Sequence, residues 1–311
     1  MGKVEKFNYD FTGSGGDKIK VSIWQPNTAA KLILHIVHGM TEHIDRYDAL
    51  ANYLAEFGII TIGMDLRGHG KNNNSSCASL GRDGYSRTLD DIEYINKKIK
   101  KHYDNVPLVM LGFSLGSFIL RDYLAVGHKE LSGAIIVGTA SQPSAVLTML
   151  KKVVSSQIKK YGFDSETKLV NQLSFETYNK KFAPNKTSAD WLCSDVLEVE
   201  KYIKDDLCKD SISAGFFWQL LDAMQKTGNK TTYDKWNKKL PVLLLSGEND
   251  PVGNNGKGVI SVQKAMEKSH IQDVRLELIP NSRHDVFHEY SNGGARITAD
   301  IIKQFLLNFI N

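Results

Sequence analysis

The sequence predicts an α/β fold, with a mostly parallel, eight-stranded, doubly wound sheet flanked by helices and interrupted by a helical insertion. Short apolar runs alternate along the chain with amphipathic helical patterns, which is typical of βαβ units. Most of these runs are continuously hydrophobic, as expected for parallel strands that are covered on both faces. The alternation stops between about residues 139 and 240, where only helical patterns and polar connections occur.

The predicted strands begin with an N-terminal one at about residues 7–11. The next run, KIKVSIW at 18–24, alternates more than the others, and we interpret it as an antiparallel edge strand beside the first. The remaining predicted strands are 31–37, 58–65, 107–114, 133–139, 241–247 and 274–280. The core helices predicted between and after them are 46–58, 86–103, 115–126, 256–268 and 296–310.

Residues 141–239 are predicted to be a helical insertion, or cap, in a single α/β domain formed by residues 1–140 and 240–311. Two stretches of the insertion, 143–162 and 210–228, place apolar residues at helical spacing. Their apolar faces either suit an acyl chain or pack on each other and on the core. Four lysines of the first stretch predict a solvated helix face, with a weak peripheral membrane contact as the alternative: Lys151, Lys152, Lys159 and Lys160.

Composition excludes several classes of protein. The 311-residue chain is 41% hydrophobic and 24% charged, which is ordinary for a globular protein, and its net charge of +4 is too small and dispersed to indicate a nucleic-acid partner. The N-terminus lacks the apolar segment of a secretory signal, and no stretch has the length of a membrane span. Cys77, Cys193 and Cys208 are far apart, so we expect no disulfide framework, no zinc site and a cytoplasmic location. Nothing in the sequence indicates a cofactor or another metal, and none is expected.

The segment GFSLG at residues 112–116 predicts a nucleophilic serine. A Gly-x-Ser-x-Gly pattern alone is a weak signal, but here the strand ends at Ser114 and a helical stretch begins directly after it. Such a turn holds the serine in a strained backbone conformation, and Gly112 and Gly116 avoid clashes with the neighbouring strand and helix. The N-terminus of the helix also presents free N–H groups to a developing oxyanion.

A serine hydroxyl needs an imidazole base that is itself oriented by a carboxylate. Asp250 follows the strand predicted at 241–247, and His284 follows the strand predicted at 274–280. Both therefore belong to the sheet edge where the carboxyl ends of parallel strands meet, and their order after Ser114 is that of a nucleophile elbow. Glu248 and His288 are the local alternatives for the carboxylate and the base.

The oxyanion hole needs two backbone donors, which we predict to be the N–H groups of Leu115 and Met40. Met40 lies in the loop HGMTEH at 38–43, where Gly39 permits a tight turn and His38 is expected to hold the loop by hydrogen bonds. Glu42 and His43 are interpreted as loop scaffolding, and a metal site built from His35, His38 and His43 is not expected. In a third loop, at 64–72, we expect a structural buried ion pair between Asp65 and Arg67.

With these residues in place, the chain resembles the α/β-hydrolase fold and, within it, the monoacylglycerol lipase and lysophospholipase group of serine hydrolases, the serine aminopeptidase S33 type. HGMTEHIDRY and DLRGHGKN resemble that group's HGxxEHxxRY and DxRGHGxS segments, with Asn72 in place of a small hydroxyl residue. GFSLGS resembles its elbow, usually GHSMGG, so that Phe113 and Ser117 are departures. LLLSGENDPVG and NSRHDVFHE resemble its acid and histidine loops, and the likeness covers roughly residues 10–140 and 240–311.

The resemblance implies a triad of Ser114, Asp250 and His284, oxyanion donors at Met40 and Leu115, and no cofactor. It implies hydrolysis of carboxylic esters through an acyl-enzyme, with the insertion shaping an acyl-binding cleft for monoacylglycerol- or lysophospholipid-type lipids. A carboxylesterase for small or aryl esters is the alternative enzyme. A non-catalytic ligand receptor with the same fold is the alternative from another class of protein.

Overall fold

The computed structural model of the protein describes residues 4–73, 75–126 and 130–310. Strands β1–β8 are Glu5–Thr12, Lys18–Gln25, Leu32–Val37, Ile59–Met64, Leu108–Phe113, Leu131–Val137, Val242–Gly247 and Val274–Ile279. Helices α1–α11 are Asp48–Ala55, Gly84–His102, Leu115–Leu124, Ser144–Tyr161, Lys168–Asn171, Thr177–Asn179, Val196–Lys204, Ala214–Thr227, Lys230–Asp234, Lys257–Lys268 and Gly294–Leu307. Each predicted strand and core helix is therefore present, with ends shifted by a few residues.

The strands form one eight-stranded sheet in the order β1-β2-β4-β3-β5-β6-β7-β8. β2 pairs antiparallel with β1 and with β4, and all later neighbours are parallel. This confirms the predicted mostly parallel sheet. The predicted antiparallel pairing of 18–24 with the N-terminal strand is confirmed, and only its placement at the edge is wrong, because β1 forms the outer edge of the sheet. The alternation in β2 has another cause: Ile19, Val21 and Trp24 are buried, while the residues between them remain partly exposed or pair with polar neighbours.

The centre of the sheet is covered on both faces. Every residue of β3, β4, β5 and β7 is buried, which explains their continuously apolar sequences. Successive residues face opposite layers: Met110 joins one apolar cluster, while Val109 and Leu111 join the other. β8, at the far edge, has alternating and largely exposed residues. The loops that follow β5 and β7 therefore begin at strands that are buried along their whole length.

The segment between β6 and β7 contains helices α4–α9, and among its described residues no strand of the main sheet occurs. Helix α4 packs on α8, and α8 packs on α3 of the core. Two isolated bridges, Ala78 with Ile212 and Glu166 with Ser213, add backbone contacts. The interpretation of 141–239 as a cap with its own role stays a prediction. Across the described ranges, no helix combines the length and the apolar character needed to cross a bilayer.

Candidate active site

The three predicted triad residues lie together at the carboxyl edge of the sheet. Ser114 follows β5, Asp250 follows β7 and His284 follows β8. His284 Nε2 is 2.9 Å from Ser114 Oγ, and His284 Nδ1 is 2.9 Å from Asp250 Oδ1. His284 and Asp250 are 1% and 0% exposed, so the imidazole and the carboxylate interact away from bulk water. This arrangement can move a proton from the serine hydroxyl to the imidazole.

The turn that holds Ser114 is strained, and its two glycines are needed. Ser114 has φ 50° and ψ −112°, and its N–H donates to the Val137 carbonyl at 2.9 Å. A Cβ on Gly112 would lie 2.3 Å from the Gly116 carbonyl oxygen, and a Cβ on Gly116 would lie 2.0 Å from the Val37 carbonyl oxygen. Any other residue at either position would force the strand and helix apart.

The carboxylate of Asp250 is oriented by its own loop. Its Oδ1 also accepts a hydrogen bond from the Val252 N–H at 2.8 Å. The alternatives considered for the acid and the base have other contacts. Glu248 is exposed, and its Oε2 accepts from the Asn281 N–H at 3.3 Å. His288 Nδ1 lies 2.8 Å from Asp285 Oδ2, on the neighbouring carboxylate rather than on Asp250.

The two predicted oxyanion donors flank the serine. Leu115 is the first residue of α3, where a backbone N–H has no partner within the helix. Met40 borders the same small space as Ser114 and His284. Within the described part of the chain, neither N–H donates a hydrogen bond to another residue. The role of both groups as oxyanion donors stays a prediction.

His38 connects two loops behind this donor pair. Its Nδ1–H donates to the Gly39 carbonyl at 2.8 Å, and its Nε2 accepts from the Leu66 N–H at 2.9 Å. Burial, together with the neighbouring His69, holds the pKa of His38 well below its ordinary value of 6.5. A neutral imidazole that bonds through both nitrogens is a support for the loop and not a second base.

Arg46 joins the oxyanion loop to the histidine loop, a role that the sequence analysis missed. Its Nε donates to Glu42 Oε2 at 3.1 Å and its Nη2 donates to Asp285 Oδ2 at 2.8 Å. The other oxygen of Glu42 accepts from the Gly39 N–H at 2.6 Å and from the Tyr47 hydroxyl at 2.9 Å. No helical spacing signals this contact, because His43 is extended and the 3₁₀ turn that holds Arg46 begins only at Ile44.

Charges in this link are strongly perturbed. Burial alone would raise the pKa of Asp285, but His288 and Arg46 outweigh burial and hold it well below its ordinary value. Burial likewise opposes the charge on Arg46, yet the carboxylates of Asp285 and Glu42 raise its pKa. Asp285 and Arg46 are therefore both charged over the whole physiological range.

The expected ion pair between Asp65 and Arg67 is wrong. Arg67 Nε instead pairs with Asp91 Oδ2 of α2 at 2.7 Å. The carboxylate of Asp65 accepts from the Ile44 N–H and from the Lys71 N–H, each at 2.9 Å. The two side chains leave the loop toward different elements, and each satisfies its charge there. The loop is stiffened as expected, but by two separate sets of bonds.

His35, His38 and His43 do not share a site: His35 Nδ1 bonds Asn96 Oδ1 at 2.7 Å. Among the described residues, His43, Asp205 and Cys208 do offer three ligand atoms within 4.8 Å of one another. His43 Nε2 already lies 2.8 Å from Asp205 Oδ2, and His43 Nδ1 has no partner in the described chain. A metal-bound imidazole ordinarily donates its other N–H to an oxygen, so this set does not fit a resident metal.

The two departures in the elbow have identifiable contacts. Ser117 is fully buried, and its hydroxyl donates to the Ser114 carbonyl at 2.6 Å, which ties the first turn of α3 to the strained residue. The ring of Phe113 lies 5.0 Å from the His284 ring. Phe113 therefore supplies an apolar surface under the imidazole.

Comparison with known proteins gives a family and several relatives. The family model described as serine aminopeptidase, S33, matches residues 28–291. A monoglyceride lipase homolog of Monkeypox virus is 28% identical over 249 residues, which cover 80% of this chain and 79% of the viral one. Mouse monoglyceride lipase is 25% identical over 269 residues, which cover 86% of this chain and 79% of the mouse protein.

Two solved structures share the fold over nearly their whole length. A thermostable carboxyl esterase from Bacillus coagulans superposes with a TM-score of 0.90 at 23% identity, covering 99% of this chain and 100% of the esterase. A soluble variant of monoglyceride lipase from Saccharomyces cerevisiae gives a TM-score of 0.72 at 19% identity, covering 100% and 96% of the two chains. At these identities, the likeness is one of fold.

Proposed function

We propose that the chain cleaves monoacylglycerol- or lysophospholipid-type lipids through an acyl-enzyme on Ser114. It belongs to the serine aminopeptidase S33 family of α/β-hydrolases. Its likeness to monoglyceride lipases and to a carboxyl esterase makes it a carboxylic ester hydrolase. The observation that carries this proposal is the hydrogen-bonded series of Ser114, His284 and Asp250. The family and the named activities of its relatives support the same reaction class.

Acylation begins with proton transfer. As Ser114 Oγ attacks the ester carbonyl, His284 Nε2 takes the hydroxyl proton, and the Asp250 carboxylate stabilises the imidazolium that results. The carbonyl oxygen becomes an oxyanion, which accepts hydrogen bonds from the N–H groups of Met40 and Leu115. Collapse of this intermediate breaks the ester C–O bond, and His284 returns the proton to the leaving alcohol.

Deacylation repeats these steps with water as the nucleophile. His284 takes a proton from the water as it attacks the acyl-enzyme, and the same two N–H donors hold the second oxyanion. Breaking the bond to Ser114 Oγ releases a carboxylic acid and restores the hydroxyl. In both halves of the reaction, the imidazole of His284 transfers the protons and the N–H groups of Met40 and Leu115 stabilise the oxyanion.

The proposed lipid class rests on the relatives' names and on the apolar character of the insertion. A second candidate is hydrolysis of small or aryl esters, because the space of about 20 Å³ beside Ser114 has to widen less for a small ester than for one with a long acyl chain. Esters of one alcohol with acyl chains from acetate to palmitate separate the two. We expect kcat/KM to rise from acetate to octanoate and beyond, and a preference for acetate would contradict a lipid substrate.

The insertion also supports a weak contact with a lipid surface. Val146 and Met149 of α4 are 42% and 60% exposed and share a helical face with Lys152 and Lys160. Lys151, in contrast, is engaged, because its Nζ bonds Asp222 and lies 4.5 Å from the centre of the Trp218 ring. An apolar stripe bordered by lysines is the composition that rests on anionic membranes.

Covalent labelling tests the mechanism and the receptor alternative together. A fluorophosphonate reacts with a serine only when the base and the oxyanion donors are in place. We expect one adduct on the intact protein, located at Ser114 by mass spectrometry of peptides. A protein that binds esters without forming this adduct would be a receptor and not a hydrolase.

A further inference from the structure

The imidazole of His284 lies between two aromatic rings from different parts of the chain. Phe113, at the end of β5, lies 5.0 Å away with an interplanar angle of 36°. The ring of Trp191, in the insertion between α6 and α7, has its centroid 5.2 Å from that of His284 and is inclined to it by 31°. The insertion thus contacts the proposed base directly, through a residue to which the mechanism above assigns no role.

Two spaces of very different size meet at Trp191. The space beside Ser114, about 20 Å³, has room for about one water molecule and cannot hold an ester. A neighbouring cavity of about 700 Å³ has the size of an ordinary small-molecule site. Trp191, Leu192 and Tyr202 line both spaces and therefore form the partition between them.

The three residues of the partition are held differently. The Tyr202 hydroxyl is 2.7 Å from Thr41 Oγ1, and the Leu192 carbonyl accepts from the Asp285 N–H at 2.6 Å. The Trp191 indole N–H makes no hydrogen bond with any residue in the described ranges. Besides His284, its ring contacts the rings of Tyr178 at 5.4 Å and Phe175 at 6.2 Å. Turning the indole aside therefore breaks no hydrogen bond.

The lining of the larger cavity indicates which part of an ester it takes. Glu176, Lys180 and Lys209 are charged groups of this lining, and Phe175 and Ile203 are among its apolar ones. The charged groups can bind the hydroxyls of an alcohol group, while the apolar side chains pack against its carbon atoms.

We infer that Trp191 is a specificity-determining gate: its ring closes the passage onto His284 at rest and turns aside to admit a polar, hydroxyl-bearing alcohol group from the larger cavity. The inference rests on the proposed ester hydrolysis at Ser114. When the ring is closed it also shields the imidazole, which makes Trp191 a positioning residue for His284. Opening the passage and uncovering the base are then one motion of one side chain.

The test compares two esters with the same acyl group, 1-octanoylglycerol and methyl octanoate. Any effect of losing the ring contact with His284 applies equally to both esters, so the ratio of their kcat/KM values isolates the gate. We expect Trp191→Ala to raise this ratio about tenfold in favour of the glycerol ester, and Trp191→Phe, which keeps a ring on His284, to raise it about threefold. If Trp191→Ala does not fold, Trp191→Phe alone decides.

Trp218→Ala is the matched control. Trp218 lies in α8 of the same insertion and donates from its indole N–H to Ser155 Oγ at 3.1 Å, away from the triad. Its ratio should equal that of the wild type. A ratio within twofold of wild type in both Trp191 variants, with Ser114 still labelled by a fluorophosphonate, overturns the gate and leaves the proposed hydrolysis standing. Absence of labelling in the wild type would instead overturn the proposed hydrolysis.

Discussion

The core edge and the insertion both surround His284, but they hold it by different interactions. On the core side, Ser114 and Asp250 bond the two imidazole nitrogens, and both follow strands whose residues are fully buried. On the insertion side, Trp191 offers one ring face and, in the described chain, no side-chain hydrogen bond. The difference supports our two proposals, that the core holds the chemistry and that the insertion controls access to it.

The largest expected effect lies on the core side. Ser114→Ala removes the nucleophile, and we expect kcat for any ester substrate to fall at least about a thousandfold. Ser117→Ala is the matched control in the same turn, because it removes only the hydrogen bond to the Ser114 carbonyl. It should cost about 1 kcal/mol of stability and leave kcat within a few fold. Ester turnover by Ser114→Ala near the wild-type rate would show that the chemistry lies elsewhere.

The rigidity of the core side is tested at Arg46. Arg46→Met leaves the buried carboxylates of Glu42 and Asp285 without their shared cation, and we expect a loss of about 3–5 kcal/mol in the free energy of unfolding. Arg296→Met, which breaks an exposed pair with Asp300, should have a much smaller effect. Urea denaturation measures both. Equal small losses would mean that the link between the two loops contributes nothing to stability.

The same link predicts a pH dependence of stability. Since the folded-state pKa of Asp285 lies below its ordinary value, its stabilisation is present above about pH 4 and is lost as the pH falls toward the folded value. Asp285→Asn should therefore be less stable than wild type at pH 7, and the difference should shrink below about pH 4. Thermal melts of both proteins from pH 7 to pH 3 measure it. A difference that stays constant across this range would contradict an ionised Asp285.

Much of the core could be predicted from sequence because its signals are local. Continuously apolar runs identify parallel strands, and a residue directly after such a strand must lie at the carboxyl edge of the sheet. Ser114, Asp250 and His284 each follow a strand by at most five residues, so topology alone brings them together. The placement of 18–24 at the edge failed because alternation reports a half-exposed face and not a missing neighbour.

The remaining parts of the site depend on contacts that no local pattern records. Arg67 and Asp65 are two residues apart, yet they pair with groups on different elements. Asp285 and Arg46 are 239 residues apart and meet only after both loops are in place. Trp191 belongs to a short irregular stretch between helices, where neither periodicity nor spacing indicates that its ring meets His284. All three sets of contacts are set by tertiary packing and not by the local sequence.

The smallest expected effect lies on the outer face of the insertion. Met149→Glu places a negative charge on the exposed apolar stripe of α4, and we expect it to lower the fraction of protein bound to anionic phosphatidylserine vesicles about threefold. Ile297→Glu is the control, because Ile297 is 40% exposed on α11 of the core, away from the insertion. Co-sedimentation at low salt measures both. Equal losses of binding in the two variants would show that an added negative charge weakens vesicle binding wherever it lies. A loss only in Met149→Glu would show that the insertion is the part of the protein that meets the lipid.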